Sequence, residues 1–131
     1  MSGAAPATQP RVNYVTELIV SAAMKVHSAL GRLARKCLPG VSDELKKEGM
    51  ELRREVALPV TYDRVILDVG YRMDLVVENV VVVELKCVEA FSPIHQAQLL
   101  SYLKLSGLQV GLLINFHVAD LRDGIKRMVR G

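Results

Sequence analysis

The sequence predicts an α/β fold: one domain in which a mixed β-sheet is flanked by helices in the order α-β-β-β-α-β-α. Three observations predict it. Apolar residues near the start recur at spacings of three and four, the middle of the chain is valine-rich with period two, and a helical stretch separates two apolar runs of strand length. A helix between two strands is a crossover, which makes those strands parallel, whereas the earlier strands, joined by tight turns, are antiparallel. The 131 residues, 50% hydrophobic and 24% charged, suit a single core and exclude disorder.

The first eleven residues, MSGAAPATQPR, hold small residues and two prolines but no apolar signal-peptide core, and read as a loose tail before a domain spanning 12–131. From Val12 to Leu30 the positions Val15, Leu18, Ile19, Ala22, Ala23, Val26, Ala29 and Leu30 mark an amphipathic helix that Asn13 can cap and Gly31 can end. His27 beside this stripe reads as a surface or edge histidine. Arg32 to Asp43 is basic, then holds Pro39 and Gly40, and shows no clean helical face; Glu44 to Gly49 reads as an exposed helical turn.

From Met50 the period changes to two. Val56–Tyr62, Val65–Val69, Tyr71–Val77 and Val80–Cys87 read as β segments, the second and third as one long bent strand. After Ser92-Pro93, Ile94, Ala97, Leu100, Leu103 and Leu105 predict an amphipathic helix ending at Gly107. Val110–Phe116 has the length of a buried strand, and Asp120–Val129 predicts a last helix with Leu121, Ile125, Met128 and Val129 on one side.

No segment approaches the roughly 18 apolar residues of a membrane span, so no membrane partner is expected. Cys37 and Cys87 form neither a CxxC pair nor a disulfide framework, which suits a reducing cytoplasm, and Cys87 reads as a small buried residue. Seventeen Lys and Arg against fourteen Asp and Glu leave +3, compatible with a nucleic-acid partner without demanding one. With 5% aromatic residues and no Trp, a surface that stacks many bases is disfavoured. Lys104, Lys126, Arg127 and Arg130 are scattered cations or a phosphate-facing patch, and a homodimer is compatible with everything above.

The informative stretch runs from Asp74 to Lys86. Asp74 interrupts an apolar strand, and Glu84 and Lys86 interrupt the end of another. Residues two apart on a strand share a face, and the turn at Glu78-Asn79 folds Asp74 back beside Glu84 and Lys86. Two hard carboxylates suit Mg²⁺ or Mn²⁺ and a nearby ammonium can orient a water, a combination suited to hydrolysis of a phosphodiester. The plainer alternative is a strand edge decorated with charge, or a simple Glu84–Lys86 ion pair. One helix later Gln98 and Tyr102 lie one turn apart, where Gln98 can reach the lysine, a metal-bound water or a phosphate. Asp68, Glu78, Glu89 and Asp123 read as solvated carboxylates, with Glu89 near enough in sequence to assist.

The pattern D-x9-ELK followed by QxxxY resembles the PD-(D/E)XK nuclease superfamily and its RecB-like branch. The flanking text NYVTELIVSAAMKVHSALG, LPVTYDRVILDVGYRMDLVVENVVVVELKCVE and SPIHQAQLLSYLKLSGLQVGLLINF resembles the small bacterial and archaeal GxxExxY proteins. The resemblance implies a restriction-endonuclease-like fold and a metal-dependent nuclease acting on DNA or RNA. It implies Asp74 and Glu84 as ligands of Mg²⁺ or Mn²⁺, Lys86 as the catalytic lysine, and Gln98 with Tyr102 in support.

The GxxExxY motif itself is missing; RLARKCLPGVSD stands where it is expected after Gly31. Permitted codons for this stretch, read one base later, give Ala-Gly-Leu-Leu-Glu-Ser-Ala-Tyr-Arg-Ala-Cys-Leu, which implies a pair of compensating frameshifts. The loss of that glutamate leaves a second reading open, a catalytically silent module that keeps the nuclease fold to bind nucleic acid or protein.

Overall fold

The computed structural model describes residues 9–32, 37–67 and 70–131. Five strands form one mixed sheet in the order β1-β4-β5-β6-β7: β1 (Leu52–Ala57), β4 (Arg72–Val77), β5 (Val81–Lys86), β6 (Val110–Asn115) and β7 (Ile125–Val129). Two more, β2 (Val60–Tyr62) and β3 (Val65–Leu67), pair only with each other. Helices α1 (Gln9–Leu30) and α2 (Cys37–Lys47) cover one face, and α3 (Pro93–Ser106) lies on the other.

Strand periodicity divides the core. Leu75, Val77, Val81, Val83, Leu112 and Ile114 point to α1 and α2, where they meet Val15, Ile19, Ala23, Val41 and Leu45. Val76, Val82 and Leu113 point the other way, onto Leu99, Tyr102 and Leu103 of α3. By the same alternation Glu84 and Lys86 fall on the α3 side. As expected from the crossover, β5 and β6 are parallel, in register from Val81↔Val110 to Lys86↔Asn115.

α1 begins at Gln9, so the last three residues of the expected tail are already helical, while residues 1–8 lie outside those described. The segment expected to lack a helical face carries α2. Cys37, Val41 and Leu45 are its buried stripe, at the i, i+4, i+8 spacing of a helix, and Pro39 is accommodated in the first turn. A Cβ on Gly40 would stand 3.1 Å from both methyls of Val26, so the missing side chain lets α1 and α2 cross closely.

Four further expectations are corrected. The strand expected over Val56–Tyr62 breaks at Leu58-Pro59: β1 ends at Ala57 and β2 belongs to a separate hairpin. The expected long bent strand is divided at Gly70, whose φ of 80° turns the chain from the hairpin into β4; residues 68–69, with Asp68, lie outside those described. The last helix is instead a 3₁₀ turn, Leu121–Gly124, followed by β7, which pairs antiparallel with β6. Pairing satisfies the hydrogen-bonding edge of β6, a demand that outweighs local helical periodicity. Finally, Ile94, Leu100 and Leu105 of α3 are exposed and Leu99, Tyr102 and Leu103 are buried, because the helix turns its Gln98–Tyr102 side to the sheet.

Neither cysteine forms a disulfide; Cys87 is exposed, against expectation, because it follows the end of β5. His27 is partly buried, with its Nε2 2.9 Å from the Val118 carbonyl. No helix among the described residues is long and apolar enough to cross a membrane.

α3 approaches the sheet closely over Gly111. A Cβ there would lie 2.8 Å from Leu99 Cδ1 and 3.1 Å from its Cγ. Gly111→Ala is therefore expected to destabilise the chain by about 1–3 kcal/mol through overpacking, read as a lower urea midpoint with an unchanged slope.

Candidate functional site

The sheet opens between β4 and β5. Their ladder holds Val77↔Val81, Val76↔Val82 and Leu75↔Val83, and then stops, although β4 continues beside β1 as far as Arg72 and β5 continues beside β6 as far as Lys86. One step past the last pair stand Asp74 and Glu84. Their side chains take over the ladder: the Asp74 N–H donates to Glu84 Oε2 at 2.8 Å, and the Leu85 N–H donates to Asp74 Oδ2 at 2.8 Å. Each acid thus satisfies a backbone donor that strand separation would otherwise orphan.

Lys86, two residues along β5, projects to the same side. Its Nζ lies 4.0 Å from Glu84 Oε1 and donates to Gln98 Oε1 at 3.0 Å. Backbone pairing fixes its base, since the Phe116 N–H donates to the Lys86 carbonyl at 2.9 Å. Gln98 is presented by the first half of α3, whose start is set by Pro93 in the first turn and by the Ser92 N–H donating to His95 Nδ1 at 3.0 Å. Tyr102, one turn later, is 3% exposed and packs edge-on against Tyr71 at 5.9 Å between ring centroids. The five residues singled out in the sequence therefore share one side of the sheet, with direct bonds joining Asp74 to Glu84 and Lys86 to Gln98.

The electrostatics follow from burial. Glu84 is 2% exposed, and burial, reinforced by the Asp74 charge, pushes its carboxyl up to about 8. Burial also raises Asp74, against the opposing pull of the Leu85 N–H and Lys86. Tyr102 is raised, first by burial and then by the Glu84 charge. Two carboxylates crowded together and compensated by a single ammonium are a poor resting arrangement and a good cation site. With one oxygen of each spent on a backbone N–H, Asp74 Oδ1 and Glu84 Oε1 remain to face a cation. Among the described residues no group of three or more His, Cys, Asp or Glu could hold a metal. Asp74 and Glu84 are a pair of hard oxygen donors, and a divalent cation held by only one or two carboxylates takes its other ligands from water and phosphate.

Three residues that sequence reasoning passed over frame the cluster. Glu55 of β1 stands opposite Asp74, between the pairs Arg54↔Leu75 and Val56↔Met73, and its charge contributes to raising Asp74. It holds a left-handed φ of 50°, a conformation that costs a non-glycine residue about 1 kcal/mol or more. Its only signal was a charged run, Glu51 to Glu55, in a strand edge. Asn115, 3% exposed, clamps the chain after β5: its Nδ2 donates to the Val88 carbonyl at 2.7 Å and its Oδ1 accepts from the Val88 N–H at 3.0 Å. Arg72, exposed at the start of β4, brings a second cation to this end of the sheet. Glu89 stays out of the cluster; its exposed carboxylate lies 3.6 Å from His117 Nε2. Arg130 sits at the opposite end of the sheet, bonded to the carbonyls of Gly107 and Leu108.

Because Glu84 titrates at about 8 in the folded chain and at an ordinary 4.5 when exposed, the folded state binds the extra proton. Its contribution to stability is complete below pH 4.5 and is lost as pH rises through about 8. Metal-free chain is expected to lose stability as pH rises from about 5 to 9, and Glu84→Gln to lose much less over that window. Urea denaturation across the pH series reads both.

The model of the PD-(D/E)XK nuclease superfamily matches residues 13–128. No curated protein matches the sequence. Among solved structures, that of SSO0001 is 20% identical with a TM-score of 0.57, covering 92% of this chain and 61% of that one, so the chain spans about three fifths of its length. The alkaline exonuclease LHK-Exo from Laribacter hongkongensis is 18% identical with a TM-score of 0.49, covering 97% of this chain and 73% of that one. The same exonuclease in complex with dAMP gives 19% identity and a TM-score of 0.47, covering 95% and 71%. With the family model spanning nearly all of the described fold, the chain belongs to the PD-(D/E)XK nuclease superfamily.

Proposed function

We propose that this chain is a metal-dependent nuclease that hydrolyses phosphodiester bonds of nucleic acid, with Asp74 and Glu84 as ligands of Mg²⁺ or Mn²⁺ and Lys86 as the residue that orients the attacking water. The observation that carries this reading is the convergence of a buried carboxylate, Glu84, a half-buried one, Asp74, and one anchored ammonium at the point where β4 parts from β5. When bound, a divalent cation polarises a phosphoryl oxygen and makes a water more acidic.

The chain's own residues account for the rest. Asp74 and Glu84 are held by backbone donors on the facing strands, so their free oxygens are placed before any ligand arrives. Lys86, held at 3.0 Å by Gln98, keeps its remaining N–H donors for a water and for the charge that develops on phosphate. Tyr102 closes the apolar side of the cluster and supports the helix that carries Gln98. A cytoplasmic setting fits two cysteines that form no disulfide.

One observation favours a second reading, a fold that binds without cutting: the segment that replaces GxxExxY carries no glutamate between Gly31 and Asp43. α2 begins within that segment, and its Glu44 pairs with Lys47 at 3.1 Å and not with the cluster.

Calorimetric titration with Mn²⁺ separates the readings. Unmodified chain is expected to bind, and Asp74→Asn and Glu84→Gln to lose most of that binding. Lys86→Ala is expected to keep Mn²⁺ affinity while cleavage of single- and double-stranded DNA and RNA falls by about 10²-fold or more. Gln98→Ala is expected to fall between. A folded chain that binds no Mn²⁺ overturns the proposal, and Mn²⁺ binding without cleavage of any substrate establishes the silent module.

A further inference from the structure

The β2–β3 hairpin has no role in the cluster, yet it rises from the same end of the sheet. The β1–β4 ladder closes with Ala57↔Arg72, then the Leu58 N–H donates to the Tyr71 carbonyl at 2.9 Å, and from there the chain leaves the sheet. Asp74 is only two residues beyond Arg72. The hairpin turns at Asp63 and Arg64, both at positive φ as a tight two-residue loop requires. Its register puts Val60, Tyr62, Val65 and Leu67 on one face and Ile66 on the other.

Neither face is covered. Tyr62 is 71% exposed, Ile66 73%, Val65 55% and Leu67 40%. A two-stranded hairpin standing alone is marginal in water, so exposed apolar side chains on both faces mark a surface made to be covered. Three observations choose the occupant. The strands are three residues each, about 10 Å long, which is far below the roughly 20–30 residues a side of a stable protein interface. Arg64 at the tip and Arg72 at the foot put one exposed cation at either end of the apolar patch, where a phosphate backbone running along it would pass, although Asp63 and Asp68 equal them in number. The hairpin is also continuous with the strand that carries Asp74, and its foot is fixed by Tyr71 against Tyr102.

We infer that the β2–β3 hairpin is a base-contacting finger that holds an unpaired strand of nucleic acid against the Asp74–Glu84–Lys86 cluster. The inference rests on the nuclease reading and adds a substrate class to it. Apolar and aromatic side chains contact bases and not phosphates, and bases are available to such a finger only in single strands, frayed ends or flaps. Arg64 and Arg72 meet the backbone of the same strand. The low aromatic content that disfavours a broad stacking platform is no obstacle to a narrow finger with one tyrosine on its free part.

The test uses fluorescence anisotropy of the full chain with a short labelled single strand and with a blunt duplex of the same sequence, Ca²⁺ replacing Mg²⁺. The single strand is expected to bind more tightly than the duplex. Tyr62→Ser with Val65→Ser is expected to weaken single-strand binding about tenfold, and to leave duplex binding and calorimetric Mn²⁺ affinity within about twofold. Arg64→Gln, a surface change that spares the fold, is expected to weaken binding and to reduce the salt slope by about one. A double variant that binds the single strand as the unmodified chain does, or an unmodified chain that binds no oligonucleotide, overturns the inference. So does an unmodified chain that sediments as a dimer which the double variant dissociates, since a second copy then covers the hairpin. A hairpin effect retained in a chain that takes up no Mn²⁺ sinks the nuclease reading and leaves the finger as a nucleic-acid contact; Mn²⁺ uptake lost in Asp74→Asn with no hairpin effect does the reverse.

Discussion

The site depends on the fork between β4 and β5, and the fork depends on two side chains standing in for the missing ladder. Parting two strands in mid-sheet exposes backbone N–H groups in a place where water has little access, and each one left alone would cost about 1–3 kcal/mol. Here the Asp74 and Leu85 donors are both answered by carboxylates. The cost of gathering negative charge is accepted because the same oxygens complete the backbone. Function and architecture therefore share atoms, and the cluster is part of the sheet and not an ornament on it.

Everything around the fork serves to place it. The parallel β5–β6 ladder carries Lys86 three residues past Val83, where the antiparallel β4–β5 ladder ends, and Asn115 ties down the chain that follows. Gly111 allows α3 to lie low over β6, which brings Gln98 within 3.0 Å of the lysine and buries Tyr102 beside Met73 and Leu103. On the other face α1 and α2 supply the larger apolar cluster, away from the charges of the fork.

Much of this was legible in the sequence because charge in the wrong place is a strong signal. Asp74, Glu84 and Lys86 break apolar strands, and strand periodicity together with one tight turn suffices to bring them to a common side. Gln98 and Tyr102 stood out by their place one turn apart just after the ELK strand and by the QxxxY resemblance, since spacing alone pointed to another face of the helix. The parallel crossover and the α1 stripe were equally plain. What escaped depends on tertiary context. β7 carries a pattern, Ile125 to Val129, that fits a helix until β6 is seen to need a partner. α2 hides its stripe behind Pro39 and Gly40, residues that usually end helices but stand here in a first turn and at a close crossing. Glu55 showed only as part of a charged stretch, because its place beside Asp74 is set by a register that composition does not encode.

The reciprocal bonds of Asp74 and Glu84 also constrain how such a chain can change over generations. A single replacement of either acid by an aliphatic residue removes an acceptor from the partner strand, so it damages the sheet as well as the chemistry. An amide of the same shape keeps the accepting oxygen and gives up only the charge. Asn at position 74 and Gln at position 84 are thus the single replacements that remove charge from the fork at the least cost to the sheet.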